Sequence, residues 1–312
     1  MRGSIECVAL LLIACASRDV YAQESGINGL NPQIRAQVAV VQSAPGRRDG
    51  QAWLKLAVLC QDAARYRDSE RAYHRAVALL KPGDRSMFAE ALDHMGTMYM
   101  ETKRLVKAES VERRALAIRE DEKDLRGIGV SHMHLAAVLL RKSEIVSAES
   151  EAQMAVSLLA PQEALPAVQT AATPEEKMTA LIDLSLVRCA RQACADAVPL
   201  LKRALAIAHD HYLAESVPVG MLDFLLGYAL WKNGDLLGAG ESMRSGTREL
   251  ATRLGWGHPT YIRALGQYKT FLMQVGRTDE AEQVSTQIAT LTRSPITEQQ
   301  ATGFAMGLDQ VH

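Results

Sequence analysis

Apolar and polar positions follow a helical rhythm through most of the chain, most clearly over residues 92–118, LDHMGTMYMETKRLVKAESVERRALAI. Met95, Tyr99 and Met100 recur at helical spacing, Gly96 leaves a gap for a neighbour, and a polar turn follows at residues 101–104. A second apolar series then runs through Leu105, Ala108, Val111, Ala115 and Ile118. Small residues at Gly96, Ala108 and Ala115 let two antiparallel helices approach closely, while the large ones fill the space between them. The spacing predicts one helix–turn–helix unit.

The unit recurs along the chain. Residues 53–80 put Ala57 in the small first-helix position and Cys60 in the aromatic one, with Tyr73 and Ala76 in the second helix. Residues 129–159 supply Ala136, Leu139, Ala148 and Ala155, and residues 174–209 supply Leu184, Ser185, Ala197 and Ala204. Residues 217–254 carry Gly227, Leu230, Ala239 and Gly246, and residues 259–291 carry Tyr268, Leu272, Gly276 and Ala281. The small first-helix positions are Ala57, Gly96, Ala136, Ser185, Gly227 and Lys269, between 39 and 49 residues apart. Lys269 suits a last repeat with no successor pressing on it. Pro82-Gly83 stops a helix, and Thr173-Pro174-Glu175-Glu176 starts one. The division expected is a linker with a lone short helix over 23–47, repeats over 48–160, a looser connection over 161–173, repeats over 174–292, and a flexible tail over 293–312.

The bulky–glycine–x–x–tyrosine pattern at Met95, Gly96 and Tyr99 resembles the tetratricopeptide repeat. The period exceeds the usual ~34 residues. Leu254-Gly255-Trp256-Gly257-His258-Pro259 is similar to the connection of the longer, kinesin-light-chain-like repeats. The resemblance implies an all-α solenoid of about six antiparallel helix pairs whose first helices line a concave groove. It also implies that the groove receives positions three before, one after and four after the small residue. Carried over, these are Leu54 and Val58, then Met100, then Met133 and Leu140, then Ile182 and Leu186, then Phe224, Tyr228 and Trp231, and last Met273. So apolar a face is expected to take an apolar peptide or helix, anchored by Phe224, Tyr228 and Trp231. The alternative is that these side chains pack on one another, or lie under residues 34–41.

Composition narrows the function classes. Hydrophobic residues make up 48% but aromatics only 5%, which suits helices packed through small side chains. Lys plus Arg number 35 against 36 Asp plus Glu, so no net field draws nucleic acid or an anionic membrane. The first 22 residues stand apart. Arg2 precedes an apolar run over 7–16, and Val20-Tyr21-Ala22 offers a cleavage site. The overlapping Leu12-Ile13-Ala14-Cys15 resembles a bacterial lipobox, in which Cys15 would be acylated. The expectation is export, to the periplasm or to a membrane through that lipid, with a buried capping helix in a cytoplasmic protein as the alternative.

Candidate chemistry is thin. There is no glycine-rich phosphate loop and no Gly-x-Ser-x-Gly elbow. His132 and His134 stand two apart and point to different helix faces, and Glu149 and Glu151 read as members of charged faces. Neither a cofactor nor a metal is expected. Cys189 and Cys194, five apart, would exceed the roughly 7 Å reach of a disulfide on a continuous helix, so they read as reduced packing residues unless a tight turn joins them. The function expected is a non-catalytic scaffold that binds protein or peptide. The alternatives are an accessory subunit of an enzyme or of an envelope or secretion assembly, and a structural chain that stacks end to end.

Overall fold

The computed structural model describes residues 27–293, apart from 44, 46–47, 81–83, 162–170 and 215. The leader expected at 1–22, with Cys15, lies outside the described residues, as do the tail from 294 onward and most of the 161–173 connection. The described chain is helical throughout. A leading helix α1 (Ile27–Gln42) precedes six pairs: α2 (Gly50–Asp62) with α3 (Tyr66–Leu80), α4 (Arg85–Glu101) with α5 (Leu105–Glu122), α6 (Leu125–Arg141) with α7 (Ile145–Leu159), α8 (Pro174–Ala190) with α9 (Cys194–His211), α10 (Val217–Lys232) with α11 (Leu236–Leu254), and α12 (Pro259–Gln274) with α13 (Thr278–Arg293). No described helix is long and apolar enough to cross a membrane. The short helix expected over 34–41 is longer, and Gln37 on it donates to the Ala52 carbonyl at 2.8 Å while Ile34 and Val41 bury themselves beside α2.

One turn geometry joins the helices of every pair. Seven residues after each small position, the backbone is left-handed: Ala64 (φ 54°), Lys103 (59°), Ser143 (63°), Gln192 (64°), Gly234 (89°) and Gly276 (79°). The next residue sends its N–H back to a carbonyl five residues earlier, as Arg104 does to Tyr99 at 2.8 Å and Arg277 to Leu272 at 2.9 Å. This is the Schellman closure, which satisfies helix-end carbonyls and reverses the chain. The reversal also decides the fate of Cys189 and Cys194. With Gln192 left-handed between them, their Cα atoms stand 4.3 Å apart and the two sulfurs are bonded. The expectation of two reduced cysteines is therefore corrected: the residues flank a turn, not a continuous helix. Cys60 is buried and free.

The described chain divides into two compact units, residues 27–207 and 208–293. In unit one, first helices α2, α4, α6 and α8 lie side by side, each also packed on its own partner or on the helix preceding it in sequence. An acid placed thirteen residues after the small position ties each of the first three repeats to the next. Glu70 accepts from Arg104 at 2.8 Å and from the Tyr99 hydroxyl at 3.0 Å. Glu109 accepts from Lys142 at 2.6 Å, and Glu149 pairs with Arg188 at 2.7 Å and also with Arg191. Glu149 is thus a buried tie between repeats, a correction to its reading as part of a charged face. In unit two the corresponding position is Gly240, which lies against the Phe271 ring.

Candidate functional site

The positions expected to line the groove divide when placed in the fold. Leu54, Met100, Met133, Leu140 and Leu186 are buried, Val58 and Ile182 are half-buried, and Met273 is 60% exposed. Phe224, Tyr228 and Trp231, the expected anchors, are 0%, 3% and 4% exposed. Their role as ligand anchors is corrected to one of packing, because α10 is apolar on nearly every side and leaves no face for a ligand. Phe224 presses against Gly246, where a methyl group would collide with it. Trp231 meets Tyr228 and Phe271 edge-on, with ring centroids 5.7 Å away in both cases, and the Lys232 ammonium sits 3.9 Å from its centroid.

An accessible surface exists instead in unit one, between the first helices α2 and α4. There Leu54, Val58, Leu59 and Met87 floor an open cleft, rimmed by Gln51, Lys55, Glu90 and His94. Leu54 and Val58 are among the residues that the repeat pattern pointed to. The rim was not, since its members stand two and six residues before the small positions Ala57 and Gly96.

Unit one also holds a polar cluster built from three repeats. Asp93 on α4, Glu112 on α5, Arg119 on α5, Ser131 and His134 on α6 and Asp183 on α8 are all largely buried. Arg119 grips both oxygens of Asp93 and donates to Ser131 Oγ at 2.6 Å. His134 Nδ1 lies 3.3 Å from Glu112 Oε2 and 3.8 Å from Asp93 Oδ1. Glu112 occupies the second-helix position that Tyr73 fills in the first repeat, and its carboxylate fills the gap opposite Gly96, so a carboxylate and not an apolar group fills that space. Burial drives the Glu112 carboxyl up to about 7; His134 opposes the rise, and Asp93 adds to it. Burial works against the charge of His134, but Glu112 and Asp93 outweigh it and lift the imidazole to about 10. Burial also opposes the charge of Asp93, yet His134 and Arg119 hold it below the usual carboxylate range. Burial lifts Asp183 to about 7 against the pull of His134 and Arg141.

His132 points away from this cluster, to Glu151 at 2.6 Å, as the two-residue spacing requires. What sequence spacing missed is that His134 meets acids from other helices. The available signal was register: Asp93 and Glu112 stand where neighbouring repeats carry apolar groups, such as Leu54 and Tyr73.

No family model matches the chain, and no curated protein does. Solved structures do. A putative kinesin light chain of Podosopora anserina, described as having nearly identical TPR-like repeats, aligns over 65% of this chain and 94% of its own, at 17% identity and a TM-score of 0.52. The apo form of RapI aligns over 87% and 93%, at 11% identity and 0.65. A Rap protein complexed with competence and sporulation factor aligns over 86% and 80%, at 13% identity and 0.58. The fold is of the tetratricopeptide-repeat type. These similarities fix the helix-pair architecture, and at such identities they carry nothing about ligand or activity.

Proposed function

We propose that the chain is a non-catalytic adaptor that takes a short segment of another protein across the first-helix face of unit one. The observation that carries this is the open cleft between α2 and α4, with an apolar floor at Leu54, Val58, Leu59 and Met87 and both charges on its rim at Lys55 and Glu90. That pattern fits a segment with apolar side chains facing inward and polar groups alongside. The Rap protein solved with competence and sporulation factor supports the reading by showing that a fold of this type accommodates a partner. We assign the chain to an oxidising compartment, reached by cleavage or acylation in the first 22 residues, and the Cys189–Cys194 bond supports that assignment.

The test is selection of displayed peptides on the purified chain, followed by binding to Val58→Glu and Met87→Glu. Both substitutions fall at half-buried positions and should leave the helical signal intact. Selected peptides should lose at least tenfold in affinity for either variant. Peptides that bind both variants as tightly as the parent, or a selection that enriches none, would remove the cleft as the binding site.

A further inference from the structure

Three helices of unit one bring Asp93, Glu112 and His134 together, the two acids standing where neighbouring repeats place apolar side chains such as Leu54 and Tyr73. We propose that this cluster is a binding site for a first-row divalent metal ion, with zinc the ion its donors suit best. One oxygen from each carboxylate and one imidazole nitrogen lie within 4.8 Å of one another. The separations at His134 Nδ1 are 3.3 Å to Glu112 Oε2 and 3.8 Å to Asp93 Oδ1. An ion bound at ~2.1 Å in tetrahedral geometry places its donors about 3.4 Å apart. The two spacings at His134 therefore need adjustments of only a few tenths of an ångström. One imidazole with two carboxylates is a set that zinc accepts, leaving a fourth position for water.

A second observation points to the same ligand. Glu112 Oε1 is fully buried and has no hydrogen-bond partner. Left ionised, that oxygen is costly in an apolar interior, and a cation held by both oxygens of the Glu112 carboxylate would satisfy it. Charge agrees with this. Asp93 is matched by Arg119, and the Glu112 carboxylate and Asp93 both face the single imidazole of His134. A divalent ion supplies the positive charge these acids lack, with His134 entering as the neutral ring and its proton released. Arg119 does not exclude the ion, because a carboxylate offers about four acceptor sites. By holding Asp93 and Ser131 together it fixes the ligand's orientation, the role that outer partners play around metal ligands. The His134 side chain is 24% exposed, which gives the ion a way in.

The test uses the full chain, stripped with a chelator and titrated with zinc chloride by calorimetry, with elemental analysis after desalting. One equivalent should bind, and cobalt in its place should give the visible absorption of a four-coordinate site. Glu112→Gln keeps the shape of the side chain while removing the charge, so the variant should fold and bind zinc at least tenfold more weakly. In the parent, the imidazole nitrogen resonances of His134 should move on adding one equivalent, a readout that requires no variant to fold. Failure to retain zinc after desalting would overturn the proposal. So would equal affinity in Glu112→Gln, or an unmoved His134 resonance with zinc bound elsewhere, for example at the free Cys60.

Discussion

The two units use one backbone plan and hold it together with different chemistry. In unit one, consecutive repeats are tied by Glu70, Glu109 and Glu149, each reaching a cation of the next repeat, and the pairs turn through Ala64, Lys103, Ser143 and Gln192. In unit two the equivalent tie is absent at Gly240, aromatic rings meet instead, and both turns use glycine. Tyr268 stacks on Phe271 with centroids 6.2 Å apart, and Phe271 meets Trp231. The comparison teaches that this architecture constrains backbone and small residues, while the glue between repeats is free to be ionic or aromatic. Ionic ties between half-buried groups are salt-sensitive and modest in strength, whereas aromatic packing depends on area and shape.

The largest effect that would break the comparison is loss of a ring. Trp231→Ala removes a side chain that is 4% exposed, and should cost about 3–5 kcal/mol in urea unfolding. Glu149→Ala, which leaves Arg188 and the half-exposed Arg191 without their shared partner, should cost only about 1–2 kcal/mol, and less in high salt. Equal losses, or a Trp231→Ala loss that shrinks with salt, would contradict the division of chemistry.

Acid sharpens the same contrast through His258 in unit two. Burial, with Arg263 adding to it, lowers this imidazole from 6.5 to about 4. The folded unit thus refuses a proton that the unfolded chain accepts. Stability should be whole above pH 6.5, fall as pH drops from there towards 4, and level off below, a loss of about 3 kcal/mol. His258 Nδ1 accepts from the Thr260 N–H at 3.1 Å and caps α12, so His258→Asn keeps a capping acceptor while removing the titration. Urea midpoints read from tryptophan fluorescence, with Trp53→Phe leaving the two tryptophans of unit two, should fall with acid in the parent more than in that variant.

The smallest effect concerns the turns. Lys103→Gly relieves a side chain held at φ 59° and should stabilise by about 0.5–1 kcal/mol, whereas Gly234→Ala, at φ 89°, should destabilise by about 1 kcal/mol. Thermal unfolding of both should move in opposite directions. A Lys103→Gly variant that melts lower than the parent would mean that the lysine side chain offsets the strain of its backbone.

The repeat frame was legible because small residues at fixed spacing report close helix contact, and all six positions, Lys269 included, are followed seven residues later by the same left-handed turn. The turns themselves were hidden in unit one, since Ala64, Lys103, Ser143 and Gln192 do not announce a positive φ as Gly234 and Gly276 do. The anchors in α10 were misread for a related reason. A helix apolar on nearly every side shows no single face, so counting from the small residue could not separate a groove position from an interior one at Phe224. The polar cluster was least legible, because Asp93, Glu112 and His134 belong to three helices and no spacing along the chain joins them.

The acids of unit one have a consequence for the order in which the chain is made. Glu70, Glu109 and Glu149 each precede the cation that neutralises them by some 33 to 42 residues. A chain leaving the ribosome, or crossing a membrane from its N-terminus, therefore completes each of the first three repeats before the cation of the next one arrives, and until then Glu109 has only Arg113 of its own helix. A carboxylate at that edge favours water over an apolar neighbour, and the following repeat closes the edge with an arginine or lysine.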